Sequence, residues 1–158
     1  MKVKLTTTIL ASALAPGLIL LFSSGAPVSA SDERNGQERN GHLQIQKNCE
    51  AYNGKAGGHC TVKVSNLAEI PSGSNIYYDQ DLGIPAGLLD SNIVLDAGNG
   101  NRGVGRCTLE LATGLGLCTF SDGTGQLAGF TARVNVSFLG GSMWAWDGTY
   151  RFGPLPSR

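Results

Sequence analysis

A chain of 158 residues with 12 basic and 12 acidic side chains carries no net charge and has enough length for one core. Its lysines and arginines are scattered, with no cluster that would neutralise phosphates, which excludes nucleic acid as a partner. Only 15% of residues are charged and 23 are glycine, a composition rich in turn material and poor in helix signals.

The amino terminus reads as a secretion signal. Lys2 and Lys4 precede an apolar run from Ile9 to Phe22, and Val28-Ser29-Ala30 places small residues where a signal peptidase reads them. Pro16 interrupts the run, which is too short to span a bilayer comfortably. Residues 1–30 are therefore expected to be removed, leaving no membrane segment and a protein secreted to an extracellular or periplasmic space. Taking 30 residues from 158 leaves 128, and the loss of two lysines sets 10 basic against 12 acidic side chains, a net charge of about −2. Residues 31–41, SDERNGQERNG, contain no large apolar side chain and are expected to form a disordered leader. Residues 42–158 form the single folded domain.

After the leader, short apolar or β-branched runs alternate with Gly, Asn, Asp, Pro and Ser, the pattern of strands and turns. Eight such runs occur: His42–Lys47, Cys60–Ser65, Asn75–Asp79, Asn92–Asp96, Val104–Leu111, Leu117–Ser121, Leu127–Phe138 and Met143–Phe152. Gly83–Leu89 is the one segment that reads as a short helical turn. Eight antiparallel strands form a sandwich or close into a barrel, and closure removes the exposed edges of a secreted sheet.

Cys49, Cys60, Cys107 and Cys118 are an even set in a secreted domain, which points to disulfides. No C-x-x-C spacing occurs, and His42 and His59 do not complete a metal set, so no metal or other cofactor is expected. Of the three connectivities, the local pairs Cys49–Cys60 and Cys107–Cys118 are favoured because each flanks a Gly-containing turn at the same separation. A four-residue loop, Leu111 to Gly114, puts Cys107 directly opposite Cys118.

The last third holds both tryptophans. Phe130, Ala132, Val134, Val136 and Phe138 share one strand face; Trp144, Trp146, Gly148, Tyr150 and Phe152 share a face of the next strand. A three-residue reversal at Leu139-Gly140-Gly141 sets Val136 opposite Trp144 and Phe130 opposite Tyr150, which makes the aromatics core. A two-residue reversal at Gly140-Gly141 sets Asn135 opposite Trp146 and Arg133 opposite Gly148, giving an aromatic face with polar handles suited to a ligand. The valine-rich strand favours core.

Catalytic patterns are thin. Neither histidine sits in a nucleophile context. Glu110 alternates away from Cys107, Leu109 and Leu111 and is expected in solvent, while Asp147 before Gly148 is expected to satisfy backbone donors at a bulge. Gly123-Thr124-Gly125 is too short for a phosphate loop. Asn135-Val136-Ser137 is a glycosylation sequon, of consequence only in a eukaryotic secretory route.

Four blocks carry a resemblance: Cys107-Thr108-Leu109, Thr113-Gly114-Leu115-Gly116-Leu117-Cys118-Thr119-Phe120, Gly123-Thr124-Gly125 with Ala128-Gly129-Phe130, and Trp144-Ala145-Trp146-Asp147-Gly148-Thr149-Tyr150. Through them Gly105–Phe152 resembles bacterial secreted proteins of the allene oxide cyclase barrel-like group, kin of plant allene oxide cyclases and dirigent proteins. The resemblance implies an all-β, eight-stranded antiparallel β-barrel of calycin type with a cavity. Plant members use that cavity to steer cyclisation of a fatty-acid epoxide or to hold phenolic radicals, but none of their catalytic residues maps onto this chain.

Three functions follow as expectations. The leading one is a barrel that binds a small apolar or phenolic molecule without established catalysis, through Trp144, Trp146, Tyr150, Phe130 and Arg133. The second is a cyclase-like isomerase or coupling guide with one buried polar group, for which Arg133 or Glu110 is the choice. The third is an extracellular glycan- or surface-binding module with Trp144, Trp146 or Tyr150 as stacking platforms. An oligomer is compatible with all three.

Overall fold

In the computed structural model, residues 39–153 are described. The expected signal peptide, most of the expected leader and the last five residues lie outside them. Eight strands follow in chain order: β1 Arg39–Asn48, β2 His59–Ser65, β3 Asn75–Tyr78, β4 Leu88–Asp96, β5 Arg102–Glu110, β6 Leu115–Thr124, β7 Phe130–Gly140 and β8 Met143–Phe152. Every strand pairs antiparallel with the next, and β8 returns to β1 from Arg39↔Phe152 to Asn48↔Met143, closing the barrel.

Period-two burial along each strand decides which side faces in. On β1, Leu43, Ile45 and Lys47 are buried, while His42, Gln44 and Gln46 are exposed. On β7, Phe130, Ala132, Val134 and Val136 are buried and Arg133 and Asn135 are exposed. The outward residues of β1 and β7 are thus mostly polar, whereas β2 to β5 also expose Val64, Tyr77, Val94 and Val104.

Every strand but β8 departs from the sequence reading at one end or both, and four differences bear on the architecture. β1 begins at Arg39, so Arg39–Gly41 belong to the barrel and not to a leader. β4 begins at Leu88, four residues before the expected start, because Leu89 extends the inward row of Ser91, Ile93 and Leu95. Gly83–Leu89 is not helical: Ile84 bridges to Leu89, and the Ile84–Pro85 peptide is cis. Gly125–Leu127 is a 3-10 turn that breaks the expected strand Leu127–Phe138 before β7.

The final hairpin follows neither expected register. Phe138 faces Trp144, Val136 faces Trp146 and Phe130 faces Phe152, with Gly141 and Ser142 between the strands. Leu139 is the extra residue of a bulge between Phe138 and Gly140, and Gly140, which both expected loops assigned to the turn, pairs with Met143 in the ladder. The parity is nevertheless that of the core alternative, because the valines and tryptophans share the interior. The β5–β6 hairpin matches expectation: Cys107 pairs with Cys118 across the loop Leu111 to Gly114, and Gly114 turns it at φ +67°.

The two ends of the barrel differ. At one end Leu127 from the 3-10 turn and Leu67 and Ile70 from the β2–β3 connection are buried with Phe130 and Phe152. Phe120, Phe130 and Phe152 stack in series at centroid distances of 5.5 and 5.3 Å, filling that half with rings. Arg39 covers the last of them, its guanidinium 4.4 Å from the Phe152 ring. The other end, where β1–β2, β3–β4, β5–β6 and β7–β8 turn, stays open as a cup.

Candidate functional site

The cup is a cavity of about 250 Å³. Leu89, Leu109, Val136 and Trp144 form its apolar wall, and Tyr52, Leu82, Leu111 and Ser142 stand at its mouth. Both disulfides, Cys49–Cys60 and Cys107–Cys118, border it. Each fastens neighbouring strands at the open end, where no side-chain plug holds them together. The mouth is fringed by exposed Leu82, Ile84, Leu88, Leu111, Leu115, Phe138 and Leu139, so an apolar molecule meets apolar surface before it reaches the cup.

One wall residue is charged-type. Lys47 is the third inward position of β1 after Leu43 and Ile45, and it is 2% exposed. Its ammonium donates to the Tyr78 hydroxyl at 2.6 Å and lies 4.2 Å from the centroid of the Trp146 ring. Among the described residues no carboxylate pairs with it. An ammonium taken from water with one hydrogen bond and an aromatic face is poorly compensated. Burial accordingly pulls its pKa from the ordinary 10.5 down to about 7.

The same burial pushes the Tyr78 phenol far above its usual range, so it keeps its proton. Tyr78 sits 3.8 Å from Cys60 Sγ, and a disulfide sulfur can only accept. The phenol can therefore accept from Lys47 while pointing its own proton at sulfur. Tyr52 stacks on Tyr78 with ring centroids 4.8 Å apart, which fixes the phenol in place. The indole N–H of Trp146 is buried without an acceptor among the described residues. Lys47, on the wall of the cup, and Trp146, packed against it, are thus two under-satisfied donors side by side, a pattern concentrated at functional sites.

The residues expected from sequence are divided by the barrel. Trp144 lines the cup, and Trp146 lies beside Lys47. Phe130 and Tyr150 belong to the ring-filled half, where Tyr150 meets Phe152 edge-on at 5.8 Å. Arg133 is exposed on the outer face opposite Thr149, and Glu110 is exposed and bonded to the Thr113 hydroxyl at 3.1 Å. Neither supplies a buried polar group. Asp147 is not at a bulge: it is exposed, and its carboxylate bonds His42 and Gln44, each at 3.1 Å. Among the described residues no three His, Cys, Asp or Glu side chains come together to hold a metal ion.

Lys47 and Tyr78 were missed, although the signal was present. In His42-Leu43-Gln44-Ile45-Gln46-Lys47 the alternation that points Leu43 and Ile45 inward carries Lys47 with them. Comparison with known proteins found no matching family model, no matching curated protein and no matching solved structure.

Proposed function

We propose that this protein is a ligand-binding barrel whose open end takes a small apolar or phenolic molecule. The observation that carries this reading is the apolar cup with the Lys47 ammonium on its wall. Apolar area removed from water supplies affinity at about 25 cal/mol per Å², and the ammonium selects a ligand that ends in an oxygen acceptor. A cavity of 250 Å³ lies at the small end of ligand pockets and suits a single ring with a short substituent. Trp146, 1% exposed and inward, offers no outer platform to a sugar ring, which disfavours glycan stacking.

The two disulfides fit an oxidising compartment, and secretion through the amino-terminal signal completes the reading. A likeness to allene oxide cyclase-like barrels belongs to the same proposal. It leaves room for a second reading, a weak isomerase or coupling guide, favoured by the Lys47–Tyr78 pair as the buried polar group such chemistry needs.

Titration of tryptophan fluorescence tests the proposal. Phenols and short fatty acids are expected to quench Trp144 and Trp146 saturably, oligosaccharides are not, and Lys47→Met is expected to weaken phenol binding more than toluene binding. Quenching by oligosaccharides alone, or by none of these, overturns it. Turnover of an epoxide by the parent chain and not by Lys47→Met would establish the second reading.

A further inference from the structure

We infer that Lys47 forms a reversible imine with small aldehydes that enter the cup, so that the barrel captures carbonyl compounds covalently. This rests on the reading of the cup as a ligand site and names the ligand class that the site's chemistry selects.

An amine attacks a carbonyl only through its free lone pair, so the requirements are an uncharged nitrogen, a lone pair aimed at the ligand and a place for the carbonyl carbon. Burial away from any carboxylate favours the neutral amine, and the lowered pKa of about 7 agrees. An ordinary lysine near 10.4 has well under about 1% of its amine free at neutral pH. The lone pair depends on Tyr78. Once Nζ is uncharged the phenol is the better donor, so Tyr78 Oη–H occupies that pair across the 2.6 Å contact. The pair is released to a carbonyl in the cup when the phenol turns its proton toward Cys60 Sγ, an acceptor 3.8 Å away.

The step balances without a co-reactant. The Lys47 nitrogen adds to the carbonyl carbon, an N–H proton passes to the oxygen, and the carbinolamine loses water to leave C=N. Water adds back to release the aldehyde. The apolar wall of Leu89, Leu109, Val136 and Trp144 limits water at the carbon and favours the imine. The chain's other lysines within the described residues differ: Lys55 is exposed and paired with Asp81 at 3.0 Å, and Lys63 is exposed on β2.

The test uses the full secreted chain with cinnamaldehyde and cyanoborohydride at neutral pH, followed by intact mass and peptide mapping. Hydride delivered to the imine carbon gives a stable secondary amine. The expected result is one reduced adduct, on Lys47, exceeding the sum on Lys55, Lys63 and the amino terminus by about ten-fold or more. Lys47→Met should abolish it, and cinnamyl alcohol, which matches the aldehyde in size but forms no imine, should slow it by competition.

Saturable binding of cinnamyl alcohol without trapping at Lys47 overturns the imine and leaves the ligand site standing. Failure of both alcohol and aldehyde to quench tryptophan fluorescence overturns the ligand site itself. Adducts confined to Lys55, Lys63 and the amino terminus also overturn the inference. Mapping on the parent chain settles the matter even if the Lys47→Met variant does not fold.

Discussion

Lys47 reaches diagonally across the β1–β8 seam: its register partner is Trp144, yet its Nζ lies 4.2 Å from the ring of Trp146. The diagonal directs the amine toward the base of the cup and not its rim. The barrel interior keeps one amine there with no carboxylate beside it among the described residues, and several consequences can be measured.

The first concerns pH. An amine with a folded pKa of about 7 and an ordinary value of 10.5 binds fewer protons folded than unfolded between those limits. Stability therefore rises with pH across that window, by up to about 1.4 kcal/mol per unit. The groups facing Lys47 are Tyr78 and, behind it, Tyr52; both phenols titrate above their usual range and stay neutral through most of the window. Lys47→Met removes the linkage. Denaturant unfolding should show the variant gaining on the parent by a few kcal/mol on the acid side, with the gain shrinking toward alkaline pH. A difference independent of pH would contradict the assignment.

Tyr78→Phe deletes the one side-chain hydrogen bond that Lys47 makes among the described residues. Leaving the buried ammonium unsatisfied should cost about 1–3 kcal/mol at neutral pH. In a Lys47→Met background the same change should cost markedly less, because no donor is left behind. Equal losses in both backgrounds would show that Tyr78 acts by packing alone.

The disulfides close loops of 11 residues' separation at the open end. Replacing Cys107 and Cys118 together with Ala should cost about 3 kcal/mol from loop entropy. Reductant should destabilise the parent by at least that much and the variant by less. Insensitivity of the parent to reductant would count against both bridges.

Gly148 faces the interior of β8 opposite Val134, where a Cβ would collide with the Arg133 carbonyl oxygen and stand 2.7 Å from Val134 Cα. Both neighbours are backbone and cannot yield cheaply. Gly148→Ala should destabilise by about 2 kcal/mol or more, read as a lower unfolding midpoint. An unchanged midpoint would mean that the strands part easily at that point.

Arg133, Glu110 and Asp147 stand on the outside. Arg133→Gln, Glu110→Gln and Asp147→Asn should each change stability by less than about 0.5 kcal/mol and leave phenol binding as it is. The His42–Asp147 contact between half-exposed side chains is of the kind that contributes little. Loss of binding in any one of these variants would relocate the site to the outer face.

Much of this architecture was legible in the order of residues. Alternation is a local property, so eight runs, the β5–β6 hairpin and the Cys107–Cys118 bridge could be read from neighbours a few positions apart. The inward face of β8 followed from the same parity, since every second residue from Trp144 to Phe152 shares a side. The direction of Lys47 was equally present in the period of β1, but a lysine at a strand end ordinarily reads as solvated, and nothing local says that the chain will close over it.

Tertiary structure alone decided the rest. The hairpin register depended on a bulge at Leu139, which costs little locally and is set by how β7 and β8 meet the strands on either side. Which half of the interior would be filled and which left open depended on Leu67, Ile70 and Leu127 arriving from separate connections at one end only. Lys47 became a site when β1 met β8 and Tyr78 crossed from β3, contacts 31 and about 100 positions apart. Desolvation comes from everything packed around a group, so a pattern read along the chain reveals the direction of a side chain and not the medium into which it points.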